Sequence, residues 1–312
     1  IDFTSKNLDV DLKSIKKAAR KGVEEELIKR TRNIIKEKNL SIDFEDKVVW
    51  QNNPIAKISR GENYLTPEVE IIADDALPLE EKKELEQFLK NWIELHISDV
   101  LGDLINLTKI KIENQYLRAL AFQLYENNGV LKRKNIDDIV KLISKEERKK
   151  LWGMGIKIGR YHIFLPKMLK PKAVMLRTTL WKIYNSVSSN LNIPKFGLNF
   201  VENKNLNDKF LLLCGFEKFK NYFVRIDILE KLFINIIEKT IDRKFKITPE
   251  MMNLLGCTKD NFYKLIALMN YKKSKDSDTY YFTADNRKNK DKLTPNKNKV
   301  SPFSKLLALN IK

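Results

Sequence analysis

The sequence predicts an α+β protein, predominantly α-helical, with small β-sheets and a winged-helix-like module near its C-terminus. Two observations predict this class. Apolar residues recur at three- and four-residue spacing over long segments, the signature of helices with one buried face. Between them lie short β-branched and aromatic runs bounded by Asn, Gly and Pro, too brief for anything but small sheets. With 312 residues and 43% hydrophobic content, the chain can supply a core for one large domain or two.

Residues 1–40 are read as a long charged helix over 9–38, with Ile15, Ala19, Val23, Leu27 and Ile34 near one face. Residues 41–77 form a small β-rich segment. Its expected strands, 48–50, 55–58 and 69–72, are separated by Asn52-Asn53-Pro54 and Gly61-Glu62-Asn63. Residues 78–147 are expected to be a helical bundle segment, with Leu85, Phe88, Leu89, Trp92, Ile93 and Leu95 setting the period before it resumes over 117–125.

Residues 148–226 are read as the nucleic-acid-binding segment. A helix around 146–152 leads through Gly153-Met154-Gly155 into a strand over 156–164, and Pro171 then opens a second helix at a position that tolerates a missing N–H. Residues 210–213 and 222–226 are expected to pair as strands.

Residues 227–284 carry an amphipathic helix and a helix-turn-helix. Thr248-Pro249-Glu250 and Thr258 are helix starts, Gly256 is a stop, and Phe262, Leu265, Ile266 and Met269 repeat at helical spacing. Tyr280-Tyr281-Phe282 then suggests a wing. Residues 285–300 read as a Lys/Asn-rich linker, and 301–312 as a C-terminal docking segment.

Charge localises the function. The whole chain carries +18, yet residues 1–147 hold 25 basic and 28 acidic side chains. From Arg148 to Val201 there are 11 Lys or Arg and no carboxylate. A one-sign field over a limited surface attracts a polyanion, and each phosphate neutralised releases condensed counterions. Within this stretch Lys157, Arg160, Lys167, Lys170, Lys172 and Arg177 are the candidate phosphate ligands. They are interleaved with Trp152, Tyr161, His162, Phe164 and Trp181. Most of these aromatics read as core; Tyr161 or His162 is the candidate for stacking on a base, with structural placement the equal alternative for His162.

Other chemistry finds little support. No GxxxxGK[ST] loop is present, so the chain is not expected to hold ATP by itself. The glycines of 153–159 precede a strand and open no helix, which makes them turn and packing glycines rather than a cofactor site. His96 and His162 lack metal-ligand spacing, and the adjacent Asp74-Asp75 and Asp137-Asp138 pairs read as solvated. Cys214 and Cys257 stand far apart and are expected to be buried thiols in a reducing compartment. Neither a membrane span nor a signal peptide is read, so the expected location is cytoplasmic. The first residue, Ile1, suggests a fragment or a processed product.

The run Gly155-Ile-Lys-Ile-Gly-Arg-Tyr-His-Ile-Phe-Leu-Pro-Lys-Met-Leu-Lys-Pro-Lys-Ala-Val-Met-Leu-Arg-Thr-Thr-Leu-Trp181 resembles, without a gap, a block in alphaproteobacterial superfamily-two (DExH-type) helicases similar to the mitochondrial degradosome RNA helicase. Shorter stretches at 71–77, 117–126, 224–232 and 301–306 are similar to the same proteins. Lys157 stands where that family usually has arginine, and Thr178-Thr179 where alanine and leucine are common. The resemblance concerns only the carboxy-terminal part of the family's architecture. It implies that ATP and Mg belong to upstream RecA-like motor domains which this chain lacks. It also implies that single-stranded RNA or DNA and those motor domains are its partners. The resulting expectation is a nucleic-acid-binding accessory region of an ATP-dependent helicase, with RNA the leading substrate. A stand-alone winged-helix DNA-binding regulator and a scaffold for an acidic protein partner are the competing readings.

Overall fold

A computed structural model describes residues 5–43, 46–72, 77–109, 114–187, 191–202, 207–275 and 277–283, with side chains from Ser14 onward. The predicted Asp74-Asp75 pair, the linker and the docking segment lie outside these residues. The chain is α+β and divides into two compact units, residues 1–234 with 254–256 and residues 235–253 with 257–312.

The first unit begins with helix α1 (Ser5–Glu37). Its expected apolar face is only partly used. Ile15 and Val23 are exposed, while Thr31 and Ile34, nearer the sheet, are buried. Strands β1 (Leu40–Ile42), β2 (Lys47–Trp50), β3 (Asn53–Asn63) and β4 (Thr66–Ile71) form an antiparallel meander in sequence order. Val48, Ala56, Ile58 and Val69 point inward from it.

Helix α2 (Leu79–Lys109) lies in the same core through Leu85, Leu89, Ile93, Ile97, Leu101 and Leu104, spaced three or four apart. It bends at Leu101, where φ and ψ leave the helical region. Leu95, expected on the apolar face, is exposed instead, two positions from both Ile93 and Ile97 and so on the opposite side of the helix. Helix α3 (Gln115–Glu126) is started by the Asn114 side chain, which accepts from the Tyr116 and Leu117 amides. The segment expected to be wholly helical then contributes a strand, β5 (Val130–Lys132), before helix α4 (Asp137–Leu142).

Helix α5 (Lys145–Gly153) opens on a reciprocal cap between Ser144 and Glu147. The expected single strand over 156–164 is two strands, β6 (Lys157–Ile158) and β7 (His162–Phe164), folded back on each other with β7 also paired to β5. A 3-10 turn (Pro166–Leu169) leads to helix α6 (Pro171–Tyr184), with proline in its first turn as expected. Leu151, Ile156, Ile163, Leu165, Met168, Ala173, Leu176 and Leu180 share one core with α2 and α3. The basic segment is therefore built into the body of the unit.

Strand β8 (Phe200–Glu202) precedes residues 208–213, which form helix α7 (Asp208–Leu213) rather than the expected strand. The cause is local, since the Asn207 side chain caps the helix by accepting from the Phe210 amide. The hairpin lies one element later, as β9 (Phe216–Phe219) and β10 (Tyr222–Arg225), with β10 between β8 and β9. Helix α8 (Ile226–Glu238) follows.

In the second unit, strand β11 (Lys244–Phe245) comes before helices α9 (Pro249–Leu255) and α10 (Lys259–Leu268), and strands β12 (Tyr271–Lys273) and β13 (Tyr280–Phe282) close it. The sheet order is β11-β13-β12, all antiparallel. Phe245, Phe262, Leu265, Ile266 and Tyr280 are buried there. The Thr258 hydroxyl caps α10.

Candidate nucleic-acid interface

The turn between β6 and β7, residues 159–162, lies at the centre of the family-like block, and a buried carboxylate holds it. Glu230 of α8, 2% exposed, accepts from the backbone amides of Arg160 (2.6 Å), Tyr161 (2.8 Å) and His162 (3.1 Å). Three convergent N–H groups satisfy a charge that would otherwise be costly to bury. The turn is also tied to the segment after β5, because Arg133 donates to the Gly159 carbonyl and its own amide donates to the Tyr161 carbonyl.

His162 is in the interior, 1% exposed, with Nε2 2.8 Å from Glu217 Oε2 and Nδ1 4.0 Å from Glu230 Oε1. Lys132 donates to the other Glu217 oxygen at 2.7 Å. Burial by itself would raise the Glu217 carboxyl, but the hydrogen bonds from His162 and Lys132 outweigh it and hold the group below its usual range. Buried in this way, His162 does not offer a face to a base, and its structural placement is the one observed. Tyr161 is half-buried, edge-on to Phe233 at 5.7 Å between ring centres.

Arg177 is not at the surface either. It is completely buried, and its guanidinium donates to the carbonyls of Asn128, Met168 (2.5 Å) and Leu213 (2.9 Å). Those three acceptors lie in three separate segments, so the side chain ties the core together and cannot reach a phosphate. Burial lowers its pKa from the ordinary arginine value.

The other candidate cations divide. Lys167 is exposed but pairs with Asp103 of α2 at 2.9 Å. Lys157 is half-buried, with its amine 5.9 Å from the Phe164 ring centre. Arg160 is exposed, with its guanidinium over Phe233 at 5.6 Å. Lys170 and Lys172, at the start of α6, are exposed and make no ion pair among the described residues. At the end of α5, Lys149, Lys150 and Trp152 are exposed, Trp152 by 76%. Of the five aromatics interleaved with the candidate cations, Phe164 and His162 are buried, Tyr161 and Trp181 half-buried, and Trp152 is exposed; Phe196, further along the stretch, is exposed as well.

Sequence reasoning missed the carboxylates. Glu217, Glu230 and Asp103 lie outside the carboxylate-free stretch and reach it only through the fold. One signal was available for Glu230, which follows Leu229 and stands four residues after Ile226, on the apolar side of an amphipathic helix. A charge in that position calls for a buried partner. The two thiols also differ, Cys214 being buried and Cys257 partly exposed.

Among the described residues, no group of three His, Cys, Asp or Glu is arranged to hold a metal ion, and no helix is long and apolar enough to cross a membrane. Comparison with protein-family models, curated proteins and solved structures finds no match to this chain.

Proposed function

We propose that this chain is the nucleic-acid-binding, carboxy-terminal accessory region of a cytoplasmic ATP-dependent helicase and guides a single strand, with RNA the leading substrate. The reading rests on one observation above all. After folding, the stretch without carboxylates still presents Lys149, Lys150, Arg160, Lys170 and Lys172 to solvent, and the Trp152 side chain at the end of α5 is exposed as well. Cations that hold phosphates and a ring that stacks on any base are the two parts of a sequence-tolerant single-strand surface. The resemblance of residues 155–181 to the helicase block supports the same reading. ATP and Mg would be held by motor domains outside this chain.

Titrating the full chain with a labelled single-stranded oligonucleotide at several salt concentrations tests the proposal. Affinity should fall steeply with salt; tight binding indifferent to salt would reject it.

The second unit favours a second reading. Its strand, two helices and two further strands, with sheet order β11-β13-β12, are compatible with a winged helix-turn-helix. Lys259 and Lys264 are exposed on α10, and Lys272, Lys273 and Lys275 on the hairpin. As a duplex-DNA regulator the chain would bind duplex through α10 even after Lys149, Lys150, Lys170 and Lys172 are replaced.

A further inference from the structure

The first unit contains a cavity of about 300 Å³ among the β3–β4 turn, α2, α3 and α6 that the basic surface does not account for. Its walls include Tyr64, Tyr125, Trp181 and Tyr184, each half-buried. Beneath it lies the Arg177 network. The Tyr64 hydroxyl donates to the Arg177 carbonyl at 3.0 Å, and the Arg177 guanidinium donates to the carbonyl of Asn128, another wall residue. Those bonds fix the floor, and the four aromatic side chains make up much of the remaining wall, with Arg60 over one face of Tyr184.

The polar groups at the rim are of a particular kind. Asn63 uses its side-chain oxygen to accept from the Leu65 amide at 2.9 Å, which leaves its NH₂ group as a donor. Asn185 uses its NH₂ group to donate to the Trp181 carbonyl at 2.8 Å, which leaves its oxygen as an acceptor. One side chain thus supplies donors and another an acceptor, both neutral. A heteroaromatic ring with mixed donors and acceptors on its edge requires that combination together with aromatic faces. At the mouth, the exposed Arg60 guanidinium lies 4.9 Å from the Tyr184 ring centre, placed for an anionic group attached to such a ring. Glu126 is the single carboxylate in the lining.

We infer that this cavity takes one unstacked base of a single-stranded nucleic acid, with Tyr184 and its neighbours against the ring and Arg60 on the adjoining phosphate. The size agrees, being at the small end for ligand pockets. Helix α6 connects it to the proposed strand surface, since Lys172 in the first turn and Tyr184 in the last are roughly 18 Å apart along the axis at the standard helical rise. The inference rests on the single-strand reading above, and the test separates the two.

The full chain is titrated with a labelled short oligoadenylate, followed by anisotropy, and separately with AMP and adenosine, followed by saturation-transfer NMR of the base protons. The oligonucleotide should bind and AMP should compete for part of its affinity. Tyr184→Ala and Asn185→Asp should each weaken AMP roughly ten-fold, the scale of removing one stacking ring, whereas Tyr184→Phe should bind as the parent does. Arg60→Ala should weaken AMP and leave adenosine unchanged. Asn185 is exposed, so its variant reports on the pocket even if Tyr184→Ala disturbs folding. Oligonucleotide binding that persists with no AMP signal and no effect of either variant would overturn the base pocket and leave the strand reading standing. AMP binding without oligonucleotide binding would overturn both the strand reading and this inference, making the cavity a free-nucleotide site. Silence from both probes rejects both.

Discussion

A Cβ added to Gly159 would lie 2.3 Å from the carboxyl carbon of Glu230. The absence of a side chain at 159 lets the carboxylate reach three amides of the turn, so the two residues are fitted to each other although one is in a loop and the other on α8. Gly159→Ala is expected to displace Glu230 and destabilise the first unit. Glu230→Ala should cost about 3 kcal/mol, because three backbone N–H groups, that of His162 fully buried, lose a charged acceptor. Urea unfolding of the two variants checks this, and a midpoint unchanged in both would refute the fit.

Arg177 gives a second expectation, in which stability and binding part company. Arg177→Met should cost about 3 kcal/mol by stranding three carbonyls. Arg177→Lys should also destabilise, since an ammonium cannot reproduce the planar fork. In the fraction that remains folded, the salt dependence of oligonucleotide affinity should equal that of the parent. A loss of salt dependence on Arg177→Lys would return this residue to the phosphate ligands.

Acid should act through Glu217. Its carboxyl is held below the ordinary glutamate value in the folded protein, so its contribution is present above the unfolded pKa of about 4.3 and is lost as pH falls through the folded value. The stability difference between the parent and Glu217→Gln should be largest near neutrality and shrink on acidification below that point. A difference that stays constant from pH 7 to pH 3 would contradict the assignment.

The strand surface can be reduced without touching the core. Replacing Lys149, Lys150, Lys170 and Lys172 together with Ala should lower oligonucleotide affinity and flatten the plot of log affinity against log salt by about 3, if each lysine neutralises one phosphate of a single strand. Trp152→Ala should weaken binding by about 1–3 kcal/mol with little change in slope, because stacking releases no counterion. Equal slopes in the parent and the fourfold variant would place the phosphates elsewhere.

Cysteine reactivity offers an inexpensive check on the core. Burial pushes the Cys214 thiol up to about 12, against smaller opposing effects of Arg177 and Lys182, and raises that of Cys257 as well. Iodoacetamide at pH 8 should leave Cys214 unmodified until denaturant is added and modify the partly exposed Cys257 slowly. Rapid native-state labelling of Cys214 would mean that the core around it is open.

Local signals were legible wherever a helix carried both its cap and its stripe. Pro171 and Thr258 mark starts that the structure keeps, and the Leu85, Leu89, Ile93 spacing marks a face that is buried. Short elements were less legible. Residues 210–213 are apolar throughout, and periodicity over four residues does not separate a strand from one helical turn; the Asn207 cap does. At the candidate interface, composition located the segment but not which cations face water. Arg177 is indistinguishable in sequence from Lys170 or Lys172, and three carbonyls from distant segments decide its place.

The Glu230 latch also bears on how the chain is made. Synthesis runs from the N-terminus, so Arg148 to Val201 is polymerised before Glu217 and Glu230, and Glu230 lies 70 residues beyond Arg160. Until then the nascent stretch has 11 cations, and the carboxylates made by that point are upstream ones such as Asp103 together with Glu202 and Asp208. A product truncated between residues 201 and 217 would keep the cations and lack both acidic fasteners, leaving an unlatched polycation in contact with the most abundant polyanion nearby, the ribosome's own RNA.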